Sequence, residues 1–187
     1  MIPWKAKRSL MRGPRYVTTL EPIEREVLGN VASYLVETLI QRARSAPRDE
    51  LADMMGMASG HKEAPADPAL ARLLPDFELP DDEEYDGDNS FLRCLHENDI
   101  ISAKLTNLQV ITEQIGADGS VAISLTPEEA GQFVAALNDV RLFVVSAQPG
   151  SRTDEQLAEE SLGMPRDTFA EWLAFCQDSL LEALIGD

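Results

Sequence analysis

The sequence has few of the residues from which disulfides, metal centres and nucleophilic sites are built. Its 187 residues include two cysteines and two histidines. Cys94 and Cys176 are too far apart for a CxxC pair, and both fall on apolar helical faces, so we expect buried thiols without a disulfide or zinc. Glycine-rich phosphate loops and the GxSxG motif are also absent. We therefore expect no catalytic residues, no metal and no cofactor.

The sequence also lacks a long hydrophobic run. No apolar stretch approaches the roughly 20 residues that a membrane-spanning helix needs. The basic N-terminus is not followed by the hydrophobic region of a secretory signal. A hydrophobic fraction of 44% with 26% charged residues is ordinary for a globular protein. We expect a single cytoplasmic domain over residues 1–187 that does not contact a membrane.

Basic residues are scarce outside one short segment. There are 16 bases against 33 acids, which gives a net charge of −17. The first fifteen residues carry +5 and no acid, so the remainder carries −22. A surface with this excess of acids repels nucleic acid, and we expect no direct sequence-specific DNA binding. The basic segment is instead a candidate surface for contact with an acidic partner; its cations are Lys5, Lys7, Arg8, Arg12 and Arg15.

One segment, residues 157–169, superficially resembles a helix-turn-helix. Its second helix, which would read DNA, carries four acids and only Arg166 at its start. That charge has the wrong sign for a groove lined by phosphates. We interpret the segment as two packed helices joined by a Gly-Met-Pro turn.

The hydrophobic pattern predicts a mainly helical α+β domain. We expect a bundle of about four longer helices, over residues 22–45, 91–115, 125–148 and 167–185, with one or two short helices. Asn89 or Ser90 should cap the second long helix, and Thr153 a short helix that ends near residue 161. A hairpin within residues 3–19 and a strand at 120–125 should form a small antiparallel sheet. Residues 46–66 read as a flexible linker, and residues 76–88 as an acidic loop.

The helix at 125–148 is the predicted centre of the fold. Thr126 and Glu129 form a capping box, with Pro127 at the first helical position. Arg141 interrupts its apolar face. A buried guanidinium needs a carboxylate or several carbonyls, so we expect a buried polar network in which Glu97 pairs with Arg141 and Asn138 completes the hydrogen bonds. The alternative is that Arg141 reaches a dimer interface.

Two runs of sequence resemble the hallmark motifs of a known family. They are Asp-Pro-Ala-Leu-Ala-Arg-Leu-Leu-Pro at 67–75 and Leu-Asn-Asp-Val-Arg-Leu at 137–142. Both are similar to motifs of an actinobacterial family that is catalogued as a domain of unknown function and also called AosR-like. The order of predicted elements is similar over nearly the whole chain. The resemblance implies an oxidative-stress transcriptional regulator that acts with a protein partner, such as a sigma factor or another regulator.

Two hypotheses on function remain open. The first is a non-enzymatic regulatory or interaction protein, compatible with a homodimer. The alternative is a small-molecule-binding protein or an enzyme with a pocket between helices. Polar residues that converge in a concave site would favour the alternative. A solid core with charged or apolar patches outside it would favour the first hypothesis.

Overall fold

The three strands and six helices of the described residues follow the predicted order. A computed structural model describes residues 1–7, 13–47, 54, 60–77, 88–115 and 121–186. The strands within these ranges are β1 (Ile2–Lys7), β2 (Arg15–Thr19) and β3 (Ala122–Leu125). The helices are α1 (Pro22–Arg44), α2 (Pro68–Leu73), α3 (Asp88–Ile115), α4 (Pro127–Ser146), α5 (Arg152–Glu160) and α6 (Arg166–Ile185). The predicted class, mainly helical with a small antiparallel sheet, is confirmed.

Helix α4 lies at the centre and packs against α2, α3 and α6. It begins as predicted. The Thr126 hydroxyl accepts a hydrogen bond from the backbone N–H of Glu129 at 3.2 Å, and the Glu129 carboxylate accepts one from the N–H of Thr126 at 2.6 Å. These bonds satisfy two N–H groups that have no partner inside the helix. The buried residues of α4 then follow at helical spacing: Ala130, Phe133, Ala136, Leu137, Asp139, Val140, Phe143 and Val144.

The sheet has the order β1-β2-β3, and both pairs are antiparallel. The predicted pairing of the isolated strand with the N-terminal hairpin is therefore confirmed. Side chains alternate between the two faces of the sheet. Trp4 and Tyr16 point to the helices, where the Trp4 ring meets Phe133 edge-on at 5.5 Å. The backbone N–H of Trp4 donates to the Ser179 hydroxyl of α6 at 2.9 Å, so α6 covers part of the free edge of β1.

Two helix starts differ from the predicted ones. Helix α3 begins at Asp88, and Asn89 does not cap it; its amide instead accepts from the N–H of Phe77 and donates to Asp76, both at 2.9 Å. Helix α5 is capped by Ser151 rather than by Thr153. Ser151 and Thr153 both carry a hydroxyl group that can cap a helix, and the local sequence does not decide which of the two is used.

The predicted flexible linker is anchored where the structure describes it. Gly60 is buried, and a Cβ at this position would lie 2.7 Å from the carbonyl oxygen of Cys94. His61 Nε2 lies 2.8 Å from the carbonyl oxygen of Arg42, and Pro65 is buried. Residues 60–66 thus have contacts that a flexible linker lacks. Residues 48–53 and 55–59 of this segment, and residues 78–87 of the acidic loop, lie outside the described residues.

Within the described ranges, no helix is both long enough and apolar enough to cross a membrane.

Candidate functional site

A buried network of charged groups joins α1 and α3 to the chain after α2. Arg93 is 1% exposed, and its guanidinium donates to the Glu97 carboxylate at 2.6 Å and to Asp76 at 2.7 Å. It also donates to the carbonyl oxygens of Leu74 and Pro75, each at 3.1 Å. Hydrogen bonds from Asn89 and then Arg93 lower the pKa of the Asp76 carboxyl below its ordinary value. These contacts hold the end of α2 against α3.

Arg42 of α1 completes the same network. Its Nε donates to Glu97 at 2.7 Å, and its Nη2 donates to Glu97 at 3.2 Å and to the carbonyl oxygen of Glu63 at 2.6 Å. Two guanidinium groups thus face the carboxylates of Glu97 and Asp76, and the charges balance. A buried ion pair is tolerated when its geometry is good and its remaining hydrogen-bonding groups have partners. Asp76 is half exposed, and Nε of Arg93 is buried without a hydrogen-bond partner among the described residues. The charged groups are nevertheless paired with one another, and we assign the network a structural role.

The expected pairing of Glu97 with Arg141 is therefore corrected. Glu97 is buried as predicted, at 2% exposure, but its two oxygens are occupied by Arg42 and Arg93. Arg141 is half-buried and donates to the Asn138 side chain at 3.4 Å. Its Nε is buried without a hydrogen-bond partner among the described residues. The predicted contact of Asn138 with Arg141 is present, whereas the Glu97 carboxylate pairs with Arg42 and Arg93.

The two family-like motifs meet in the structure, because α2 packs on α4. Asp67 caps α2 by accepting from the N–H of Leu70 at 3.0 Å, and its other oxygen accepts from the Thr153 hydroxyl of α5 at 2.7 Å. Asp139 of α4 is buried and pairs with Lys104 of α3 at 2.8 Å. One acid of each motif thus connects two helices, Asp67 by its bond to α5 and Asp139 by its pair with α3.

The face of the sheet that points away from the helices carries the exposed cations of the hairpin. Lys7 on β1 lies directly opposite Arg15 on β2, and Lys5 points to the same face. An open groove of about 880 Å³ runs along this face and is lined by these three side chains with Val17, Thr19 and Ser124, among others. Of the five predicted interaction residues, Lys5, Lys7 and Arg15 are brought together; Arg8 and Arg12 lie outside the described residues.

One acid touches this group of cations. The Glu129 carboxylate lies 3.4 Å from Nη1 of Arg15, and both side chains are more than one-third exposed. The hydrogen bond from the backbone N–H of Thr126 is the main cause that lowers the pKa of Glu129, with a smaller contribution from Arg15. Glu129 therefore stays ionised at neutral pH, tied to the start of α4.

A second cavity, of about 240 Å³, lies between α1, α4, α5 and α6. Its walls are mostly apolar, and the Arg166–Asp154 ion pair lies at its edge, with 2.9 Å between the charged atoms. Arg166 also donates to the carbonyl oxygen of Ala147 at 2.7 Å. The polar groups at this cavity are thus already paired. The apolar lining residues are Val31, Val144, Leu157, Met164, Pro165 and Phe169.

The same region contains the segment that resembles a helix-turn-helix. Helices α5 and α6 are joined by a turn in which Leu162 and Gly163 have positive φ angles of 53° and 80°. Glycine adopts this conformation at little cost. The N-terminal residues of α6 are held by the contacts of Arg166, and Phe169 is buried in the core. This arrangement fits our interpretation of two packed helices.

Both cysteines are thiols, but they differ in burial. Cys176 is buried and lies 3.2 Å from the sulfur of Met1, whereas Cys94 is only half-buried. Burial, and then the negative charge of Glu24, strongly raise the pKa of Cys176. In the described part of the chain, no three histidine, cysteine, aspartate or glutamate side chains cluster to hold a metal ion.

Comparison with known proteins places these features in a family. A family model described as "Domain of unknown function (DUF2017)" matches residues 1–184. The chain is 36% identical over 184 residues to the "Oxidative stress regulator AosR" of Mycobacterium tuberculosis strain H37Rv, covering 93% of this chain and 84% of that protein. The Mycobacterium bovis protein of the same name matches with the same identity and coverage. No solved structure matches. The chain therefore belongs to the DUF2017 family, with the mycobacterial AosR proteins among its relatives.

Proposed function

We propose that the chain is a cytoplasmic regulatory protein that acts by binding another protein, without catalysing a reaction. Its relatives are named as regulators of oxidative stress. The observation that carries the proposal is the cationic face of the sheet, which no described helix covers. Lys5, Lys7 and Arg15 share this face, while the chain beyond residue 15 carries −22. Such a separation of charge favours encounter with a partner of complementary charge.

Direct DNA reading is the less favoured mode for such a regulator. Helix α6 is the second helix of the segment that resembles a helix-turn-helix, and its acids Asp167, Glu171, Asp178 and Glu182 are exposed. Each phosphate contact needs a cation, and several such contacts supply much of the affinity of a DNA-binding module. The regulator would therefore reach promoters through a partner such as a sigma factor or another transcription factor.

The test combines cross-linking in the host with a transcript measurement. A tagged chain is cross-linked in cells before and after peroxide, and the captured proteins are identified by mass spectrometry. We expect a transcription protein to be captured, and the transcript response to peroxide to be lost when the chain is deleted. Tight binding of the purified chain to its own upstream DNA, at about 10⁻⁸ M and about 0.15 M salt in excess competitor DNA, would contradict the proposal.

The cavity between helices supports a second candidate, a small apolar ligand. At about 240 Å³ it lies below the roughly 300–1,000 Å³ of typical ligand sites. Only a ligand of a few heavy atoms would fit. Saturable changes in the methyl NMR signals of Val31, Val144 and Leu157 on addition of small apolar fragments would favour this candidate. Signals that do not move would leave the cavity as a packing defect.

A further inference from the structure

Like charges lie close together on the outer face of the sheet, and their electrostatic repulsion destabilises the hairpin. Lys7 and Arg15 are direct cross-strand partners, and Lys5 lies two residues away on the same side. Like charges directly opposite each other destabilise a strand pair. A bound anionic group would relieve this repulsion. The arrangement is therefore better explained by a ligand than by the needs of the hairpin.

One cation of this face, Arg15, already contacts a carboxylate, that of Glu129. It approaches Arg15 to 3.4 Å from the start of α4. It is the one acidic side chain that forms an ion pair with Lys5, Lys7 or Arg15 among the described residues. Lys5 and Lys7 are exposed, and neither forms an ion pair with an acid in the part of the chain that the structure describes, which leaves room for further carboxylates beside them. The charge of the site therefore suits a ligand that carries carboxylates.

The groove also presents apolar side chains between its cations. Ile2 is 52% exposed and Val17 is half-buried, and both line the groove together with the hydroxyl groups of Thr19 and Ser124. This mixture suits a peptide that carries both acids and hydrophobic residues. A bare phosphate backbone would gain nothing from the apolar part.

Side chains partly occupy both edges of the sheet, so a partner would bind on the outer face rather than add a strand at an edge. The N–H of Trp4 on β1 donates to Ser179, and the N–H of Ser124 on β3 lies 3.5 Å from the Gln114 side chain. These side chains occupy edge positions at which an added strand would pair. Strands of four to six residues span roughly 13–20 Å. The groove therefore fits a short extended segment lying across the face.

We propose that the outer face of the sheet binds an acidic, extended segment of a partner protein. Carboxylates of this segment contact Lys5, Lys7 and Arg15, and an apolar side chain packs on Val17. This inference rests on the proposed function, because it gives the chemistry of the partner that such a regulator binds. It adds the place of binding and the character of the bound segment.

The experiment uses the purified full chain and a fluorescent peptide of about eight residues, with six acids and two leucines. Binding is followed by fluorescence anisotropy. The test variant is Lys5→Glu/Lys7→Glu. The matched control is Lys62→Glu/Arg72→Glu, which makes the same change of net charge at exposed positions outside the groove lining. A peptide with asparagine and glutamine in place of the acids tests the need for carboxylates. The melting temperature of each variant confirms that it is folded.

We expect the test variant to weaken binding at least about tenfold and the control to change it less than about threefold. NMR signals of Val17 and Thr19 should shift on saturation with the peptide. Equal weakening by both variants, or no binding of the acidic peptide to the wild-type chain, would overturn the proposal. If the test variant does not fold, Lys5→Gln/Lys7→Gln replaces it, with an expected loss of at least about threefold against Lys62→Gln/Arg72→Gln.

Two further outcomes separate this inference from its alternatives. A single-stranded oligonucleotide of equal charge that displaces the peptide and binds more tightly would identify a nucleic-acid surface and overturn the proposal. If a partner captured in cells binds the Lys5→Glu/Lys7→Glu chain as tightly as the wild type, that result would agree with the proposed function but contradict binding in the groove. A chain that binds the peptide but captures no transcription protein would retain the groove and contradict the proposed function.

Discussion

The carboxylate of Glu97 on α3 accepts two hydrogen bonds from the guanidinium of Arg42 on α1, at 2.7 and 3.2 Å. The same carboxylate accepts a third from Arg93 at 2.6 Å. Bidentate arginine–carboxylate pairs are among the strongest hydrogen-bonded contacts in proteins. Because Arg42 also holds the carbonyl oxygen of Glu63, this one carboxylate sets how α1, α3 and the chain before α2 fit together.

Replacement of Glu97 should be severely destabilising. Glu97→Ala leaves the fully buried guanidinium of Arg93 and that of Arg42 without their shared carboxylate. We expect a loss of about 3–5 kcal/mol in the free energy of unfolding, measured from urea denaturation at constant m-value. The control is Asp99→Ala, an exposed acid on the same helix, which should change the free energy by about 0.5 kcal/mol or less. Equal effects of the two substitutions would show that the network does not stabilise the fold.

Replacement of Arg141 should lower the stability of the fold far less than its place on the apolar face of α4 suggests. Its only hydrogen bond among the described residues is the 3.4 Å contact with Asn138, and Arg42 and Arg93 neutralise Glu97 without it. Arg141→Ala should therefore cost about 1 kcal/mol, mainly through lost packing of the side-chain stem. Arg93→Ala should cost about 3 kcal/mol or more in the same assay. A larger loss from Arg141→Ala than from Arg93→Ala would restore a structural role for this arginine.

The parts of the fold that sequence predicts are those whose causes lie within a few residues. Thr126, Pro127 and Glu129 specify the start of α4 by local hydrogen bonds, and the structure begins the helix there. The alternation of β1 likewise places Lys5 and Lys7 on one face. The start of α5 was missed because Ser151 and Thr153 are equally good caps. A contact of Thr153 with Asp67, 86 positions away, draws Thr153 into a different bond.

The charged network around Glu97 also shows that sequence predicts contacts between near neighbours but not contacts between distant ones. Arg93 precedes Glu97 by four residues, a spacing that predicts an ion pair on a helix and was available in the sequence. Arg42 is 55 positions from Glu97 and lies near the polar end of α1, so no periodic pattern connects the two. The opposition of Lys7 and Arg15 depends on the register of the hairpin. The packing of helices on only one face of the sheet depends on the whole fold.

Cys176 should be far less reactive than Cys94. Burial, and then the charge of Glu24, raise the pKa of Cys176, so its reactive thiolate is scarce at pH 7–9. We expect iodoacetamide to label Cys94 first, and Cys176 only when the chain unfolds. The two single-cysteine variants, Cys94→Ser and Cys176→Ser, assign each rate by mass spectrometry. Rapid labelling of Cys176 in the native state would contradict the burial that the structure shows.

Glu129 should make the stability of the chain depend on acid pH. Its pKa is lowered from an ordinary 4.5, so the folded state binds this proton more weakly than the unfolded state. The stabilisation is therefore present above about pH 4.5 and is lost as the pH falls through the lowered pKa. After allowance for solvent screening, Glu129→Gln should cost about 0.5 kcal/mol at pH 7, and this cost should shrink as the pH falls below about 4.5. Glu128→Gln, at an exposed position in the same turn, should show a smaller pH dependence.

The same substitution tests whether Glu129 competes with a bound acidic segment. In the free chain its carboxylate lies 3.4 Å from Nη1 of Arg15 and partly neutralises that cation. Glu129→Gln removes this charge and leaves Arg15 available to the peptide. We expect the affinity for the acidic peptide to rise about twofold to fivefold at about 0.05 M salt, and the gain to shrink at about 0.5 M, because screening weakens exposed ion pairs. Glu128→Gln has no contact with Arg15 among the described residues and should raise affinity less. An unchanged or lower affinity for Glu129→Gln would mean that Arg15 does not contact the peptide, and that Lys5 and Lys7 alone supply the charge.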